Sequence, residues 1–79
     1  MSIDKNELKT KIEAVYTDLL TQATKARDEK NIAFFKDKLD ASSLQTEVNH
    51  AARQIIKERG LINKYVSDLR TVYSPAKGR

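Results

Sequence analysis

The chain has 79 residues, no cysteine, one histidine and a formal net charge of +4. This composition excludes disulfide cross-links and thiolate chemistry, and it leaves His50 without the partners that a zinc site needs. One small domain of this length builds a thin core, so we expect the chain to form a homodimer.

The sequence also bears on location. No apolar run approaches the ~20 residues that cross a bilayer, and the N-terminal sequence lacks the apolar segment of a signal peptide. We therefore expect a cytoplasmic protein that has no membrane partner.

The charges are distributed unevenly along the chain. Residues 1–52 hold eight basic and nine acidic residues, whereas residues 53–79 hold seven basic and two acidic residues, a surplus of +5. Such an asymmetry indicates a polyanion that binds one end of the molecule. A solvated face on an ordinary basic protein is the alternative.

The first predicted element is a long amphipathic helix over about residues 5–28, with Asp4 in position to cap it. Its apolar stripe recurs at steps of four, three and four residues and consists of Leu8, Ile12, Val15 and Leu19. This period defines one face of a helix. Because the stripe is wide, we predict that it forms the homodimer interface; burial within one monomer is the alternative.

A short helix or irregular link is predicted over about residues 31–40. It carries the pair Phe34 and Phe35. We expect both rings to lie in the core rather than to form a stacking platform for bases.

A helical hairpin is predicted over about residues 43–74, with its turn at Gly60. Ser42 or Ser43 is in position to cap the first helix, and Asn63 the second. Glycine adopts the left-handed conformation without steric cost, so we expect that conformation at Gly60.

The spacing of the hairpin is partly that of a DNA-binding helix-turn-helix. Such a motif has glycine in its turn, an apolar residue directly after it and two further apolar residues on the second helix. Gly60, Leu61, Val66 and Leu69 have this spacing, and Leu61 is expected to close an apolar contact across the turn.

The predicted DNA contacts are six basic residues and two hydroxyl residues of the last third of the chain. The cations would neutralise phosphates, and the hydroxyl groups would donate hydrogen bonds. The residues are Arg53, Lys57, Lys64, Ser67, Arg70, Thr71, Lys77 and Arg79. Other roles are open: Lys57 favours the dipole at a helix C-terminus, and the second helix of the hairpin has the composition of a solvated surface helix.

The last five residues, 75–79, form a basic tail. Lys77 and Arg79 follow a Ser-Pro turn, and basic arms of this kind lie in the minor groove of duplex DNA. A disordered terminus is the alternative.

We find no nucleophile beside a base and no cluster of metal ligands in the sequence. We therefore expect a non-enzymatic protein without a cofactor or metal.

Residues 43–74 resemble the core of the small double-stranded-DNA-binding proteins of T-even-type bacteriophages, which are associated with late transcription. Gly60, Lys64, Leu69 and Tyr73 carry the resemblance, and the spacing between them is kept. The resemblance implies a duplex-DNA-binding accessory factor of phage transcription in the host cytoplasm.

The chain departs from the family at Ile62, where the family has an acidic residue. It departs again at Asp68, which is acidic, whereas the second helix of the family starts in a basic setting. A second function class is therefore retained: a small protein-interaction module that binds a host protein such as RNA polymerase. The two classes share one predicted fold. It is all-α, with three to four helices in a single domain over residues 1–79 and a C-terminal helix-turn-helix-like hairpin.

Overall fold

The computed structural model describes residues 3–73 and contains, over that range, four α-helices and no β-strand. The helices are α1 (Lys5–Lys25), α2 (Glu29–Lys38), α3 (Ala41–Lys57) and α4 (Ile62–Arg70). The predicted all-α fold is confirmed, and the segment predicted as a short helix or link is a helix. The basic tail lies outside the described residues.

The predicted N-cap of α1 is confirmed. The Asp4 carboxylate accepts hydrogen bonds from the backbone N–H groups of Asn6 and Glu7, at 3.0 and 3.2 Å. These N–H groups have no acceptor inside the helix, so an aspartate here satisfies them and favours the positive end of the helix dipole.

The N-caps predicted for the two later helices are wrong. Asp40, and not Ser42 or Ser43, caps α3, because its carboxylate accepts from the Ser42 N–H at 3.2 Å. Helix α4 begins after Leu61 and has no side-chain cap, so Asn63 lies inside the helix.

Helix α3 ends in a left-handed turn at Arg59, whose φ is 53°. The Arg59 N–H donates to the Ile56 carbonyl at 3.1 Å, and the Gly60 N–H donates to the Ile55 carbonyl at 2.9 Å. This pair of bonds satisfies the last carbonyls of the helix in a Schellman motif. The prediction of a left-handed Gly60 is therefore wrong by one residue.

Helix α1 ends in the same way at Arg27, whose φ is 55°. The N–H groups of Arg27 and Asp28 donate to the carbonyls of Thr24 and Ala23, at 3.1 and 3.0 Å. This turn ends the helix at Lys25, three residues before the predicted boundary.

Helix α1 packs against all three other helices and carries the centre of the core. Leu8, Ile12 and Val15 are completely buried, and Leu19 is 1% exposed. They meet buried residues of the other helices, which include Phe35, Leu44, Val48 and Ile55. The predicted dimer interface on this stripe is therefore wrong, because the chain covers the stripe with its own helices.

The two phenylalanines of α2 differ in burial. Phe35 is 1% exposed, and its ring centroid lies 6.3 Å from that of Tyr16 and 5.4 Å from that of Tyr73. Phe34 is 46% exposed, and its ring lies 5.3 Å from the Lys38 Nζ. The prediction of two core phenylalanines is correct for Phe35 and wrong for Phe34.

Helices α3 and α4 form the predicted hairpin, and α4 packs on both α1 and α3. Its apolar side is partly buried against the core through Ile62, Tyr65, Val66 and Leu69. Leu61 is 71% exposed, so the contact expected from it across the turn does not form. Of the four helices in the described range, none combines the length and apolar character that a membrane span requires.

Candidate nucleic-acid interface

The basic residues predicted to bind DNA on α4 already have acidic partners. The Lys64 Nζ lies 3.0 Å from the Asp68 carboxylate, one turn further along the same helix. The hydrogen bond to Asp68 raises the pKa of Lys64. An arginine on the same helix, Arg70, donates to the Asp18 carboxylate of α1 at 2.7 Å.

The two hydroxyl residues predicted on α4 are in different situations. The Thr71 hydroxyl donates to the backbone carbonyl of Asp68 at 2.7 Å, so its proton is already used inside the chain. Ser67 is exposed. Helix α4 therefore presents one exposed serine and two ion-paired cations, not a row of available cations.

Helix α3 presents a different surface. Arg53 and Lys57 are both exposed and stand four residues apart, so they lie on one face of the helix. Within residues 3–73, neither forms an ion pair with a carboxylate. Their positive charge is available to an external anion.

The exposed side of α3 continues this surface toward the N-terminus of the helix. Two neighbouring rows of residues make it up, one in steps of four and the other in steps of four and seven, and no acidic residue belongs to either row. The rows are Gln45, Asn49 and Arg53, and Thr46, His50 and Lys57. We call these six residues the α3 face.

Four members of the α3 face were not predicted from the sequence, namely Gln45, Thr46, Asn49 and His50. Their spacing on the polar side of a strongly amphipathic helix could have identified them. Uncharged residues add nothing to a count of net charge, so a search for basic clusters passes over them.

The N-terminus of α1 adds one cation to the α3 face. The Lys5 Nζ donates to the Asn49 Oδ1 at 3.3 Å, and the Gln45 Nε2 donates to the same oxygen at 3.2 Å. Lys5 is exposed and belongs to the part of the sequence whose charges balance. Its place beside Asn49 depends on the packing of two helices that lie far apart in sequence.

An open cavity of about 390 Å³ lies beside the N-terminal half of α3. It is lined by Lys38, Ser42, Ser43, Thr46, Glu47 and His50. Lys38 and Glu47 form an ion pair at 3.8 Å, and Glu47 also accepts from the Tyr65 hydroxyl at 3.2 Å. These contacts balance the two charges within the chain. In the described part of the chain, no group of three His, Cys, Asp or Glu residues is placed to hold a metal ion.

The hairpin exposes several large apolar side chains. Ile56 is 42%, Leu61 is 71% and Val72 is 60% exposed. An open groove of about 310 Å³ lies beside Val72, between α3 and α4. Its lining mixes apolar, uncharged polar and acidic side chains, namely Gln54, Glu58, Tyr65, Asp68, Leu69 and Val72.

The six cations predicted to contact DNA thus fall into three groups. Arg53 and Lys57 lie together on the α3 face, whereas Lys64 and Arg70 are ion-paired on α4. Lys77 and Arg79 lie outside the described residues.

Comparisons with protein-family models, with curated proteins and with solved structures give no match to this chain. Over residues 3–73 the fold consists of four helices, and α3 carries a polar, cationic face. The proposal of a function depends on that surface.

Proposed function

We propose that this protein binds duplex DNA without catalysing a reaction, mainly through contacts to the phosphate backbone. The observation that carries the proposal is the α3 face, where Arg53 and Lys57 are exposed one turn apart and no acidic side chain stands between them. Phosphates are neutralised most readily by cations that have no carboxylate partner to give up.

Three further cations extend the proposed contact. Lys5 lies beside Asn49 at the edge of the α3 face. The tail would supply Lys77 and Arg79, which we propose to contact the minor groove as a basic arm. Lys64 and Arg70 are secondary contacts in this proposal, because each would have to leave an aspartate first.

The resemblance of residues 43–74 to phage double-stranded-DNA-binding proteins supplies the proposed setting. We propose a transcription-associated accessory factor that acts in the cytoplasm of a bacterial host. The positions that carry the resemblance lie in the turn, on α4 and after it, whereas the α3 face lies on the helix before the turn.

A titration with a generic duplex at three salt concentrations tests the proposal. Counterion release predicts that log affinity falls linearly with log salt, with a slope of about −0.9 for each phosphate contact. Arg53 and Lys57 alone would give a slope of about −1.8 on that basis. No binding to duplex at the lowest salt concentration would overturn the proposal.

A second candidate function is a protein-interaction module that docks on a host protein such as RNA polymerase. The exposed Ile56, Leu61 and Val72 favour it, because large apolar side chains at the surface are available for contact with a partner. A second copy of the chain would pack on the same residues, since the apolar stripe of α1 is covered. Docking of this kind predicts an affinity that changes little with salt.

A further inference from the structure

One row of the α3 face consists of residue types whose side chains are suited to recognising bases. Gln45, Asn49 and Arg53 follow one another in steps of four residues, so their side chains project from the same side of α3. Gln45 and Arg53 are exposed and Asn49 is half-buried.

The chemistry of this row fits the major groove. The amides of asparagine and glutamine match the N6 and N7 edge of adenine, and the arginine guanidinium matches the O6 and N7 edge of guanine. Residues four apart are separated by about 6 Å along a helix. A helix of 17 residues is about 25 Å long, which is long enough to cross a groove about 12 Å wide.

Cations flank the row on both sides. Lys5 lies against Asn49, and Lys57 stands one turn beyond Arg53. Contacts from cations to phosphates fix the position of a protein on the duplex, while contacts to base edges supply the specificity. The α3 face therefore combines both kinds of group on one helix.

The hydrogen bonds that the row makes inside the chain can be exchanged for contacts to bases. The Asn49 Oδ1 accepts from Lys5 and from Gln45, and both bonds are exposed to solvent. Exposed hydrogen bonds contribute little net stability, since water replaces them readily. Once Lys5 bonds a phosphate, the Asn49 oxygen becomes available to a base.

We infer that α3, and not α4, enters the major groove, and that Gln45, Asn49 and Arg53 read adenine and guanine there. This inference rests on the proposed duplex binding and deepens it, because it adds sequence-dependent contacts with bases to the proposed contacts with the phosphate backbone. The helix after the turn is the recognition helix in a standard helix-turn-helix. Here the helix before the turn takes that role.

Selection from a pool of randomised duplexes tests the inference. The full chain should enrich a motif that contains adenine and guanine at fixed positions. The Asn49→Ala variant should lose discrimination at one position by about 5- to 150-fold, which is the range for a bidentate contact. It should keep its affinity for unselected duplex within a few fold.

Asn63→Ala is the matched control, because Asn63 is an exposed asparagine of α4. This variant should select the same motif as the unmodified chain. Helical circular dichroism of both variants establishes that they fold.

The outcomes separate the inference from the proposed function. Duplex binding without any enriched motif would overturn the inference and leave the backbone-binding proposal intact. An enriched motif that Asn49→Ala leaves unchanged, or that Asn63→Ala relaxes equally, would overturn the role given to the α3 face. No duplex binding at low salt would overturn both.

Discussion

The Arg70 Nη1 lies 2.7 Å from the Asp18 Oδ2 and so ties the end of α4 to the surface of α1. The two residues are 52 positions apart in sequence, and each side chain is about half exposed. A surface ion pair of this kind contributes roughly 0–1 kcal/mol to stability. Its larger consequence is that the Arg70 guanidinium already has a partner within the chain.

Removal of the Asp18 charge should therefore release Arg70 to bind phosphate. We expect Asp18→Asn to raise duplex affinity and to steepen the salt slope by up to about 0.9, the value of one phosphate contact. The change in stability should be below about 1 kcal/mol. Binding isotherms at three salt concentrations measure both the affinity and the slope.

Glu13→Gln is the control for Asp18→Asn. It removes the same charge from an exposed position of α1 that forms no ion pair within residues 3–73. An equal gain from both variants would mean that net charge, and not the release of Arg70, determines the affinity.

The left-handed turn at Arg59 gives a prediction about stability. A residue other than glycine is strained in this conformation, so Arg59→Gly should stabilise the fold by about 0.5–1 kcal/mol after the greater flexibility of unfolded glycine is subtracted. Gly60→Ala should be nearly neutral, because a Cβ there would lie 4.0 Å from the Ile55 carbonyl oxygen. Urea unfolding measures the stability of the two variants. If Gly60→Ala lowered the stability and Arg59→Gly did not raise it, the left-handed residue would be Gly60.

The burial of the α1 stripe gives a second prediction about stability. Leu19→Ala should cost about 2–5 kcal/mol, as removal of a buried leucine side chain does in other cores. The loss should be the same at low and high protein concentration, because the residue packs within its own chain. Leu61→Ala, at a site 71% exposed, should change stability by less than about 0.5 kcal/mol. A loss that shrinks as protein concentration rises would indicate that Leu19 packs against a second copy.

The raised pKa of Tyr65 predicts how stability changes at alkaline pH. Burial, followed by the charge and hydrogen bond of Glu47, raises the pKa of Tyr65 from 10.0 to about 12. The folded state then binds a proton that the unfolded state loses near pH 10, so stability falls as pH rises from 10 to 12. Tyr65→Phe removes the titrating group, and the fall should be smaller in this variant. Unfolding midpoints at pH 9, 10, 11 and 12, spanning the roughly two-unit window in which linkage acts, measure the difference.

Residual alkaline sensitivity is expected even in Tyr65→Phe. Burial also raises the pKa of Tyr16, with a further contribution from Glu47. If Tyr65→Phe and the unmodified chain lose stability in parallel over this pH range, Tyr65 is not a source of the pH dependence.

Features that depend on a few neighbouring residues were predictable from the sequence. The Asp4 cap needs one carboxylate beside the first turn, and the period of the α1 stripe identifies a buried face. The pairing of Lys64 with Asp68 was also within reach, since opposite charges four residues apart meet on a helix. The Schellman turn was predicted one residue too late, because glycine usually occupies the left-handed position that Arg59 takes here.

Features that depend on distant parts of the chain were not predictable. The period of the α1 stripe is the same whether a second copy or the chain's own helices cover it. The sequence does not indicate that Asp18 meets Arg70, or that Lys5 reaches Asn49. For this reason the basic character of the last third was predictable, while the division of its cations between a paired α4 and an available α3 was not.

The most direct test of this account compares two double variants that remove the same charge. Arg53→Gln with Lys57→Gln removes the cations of the α3 face, and Lys64→Gln with Arg70→Gln removes the ion-paired cations of α4. Salt-dependent binding to a generic duplex should show a slope flattened by about 1.8 in the α3 variant and changed much less in the α4 variant. Loss of the salt dependence in the α4 variant, together with its retention in the α3 variant, would contradict the role proposed for the α3 face.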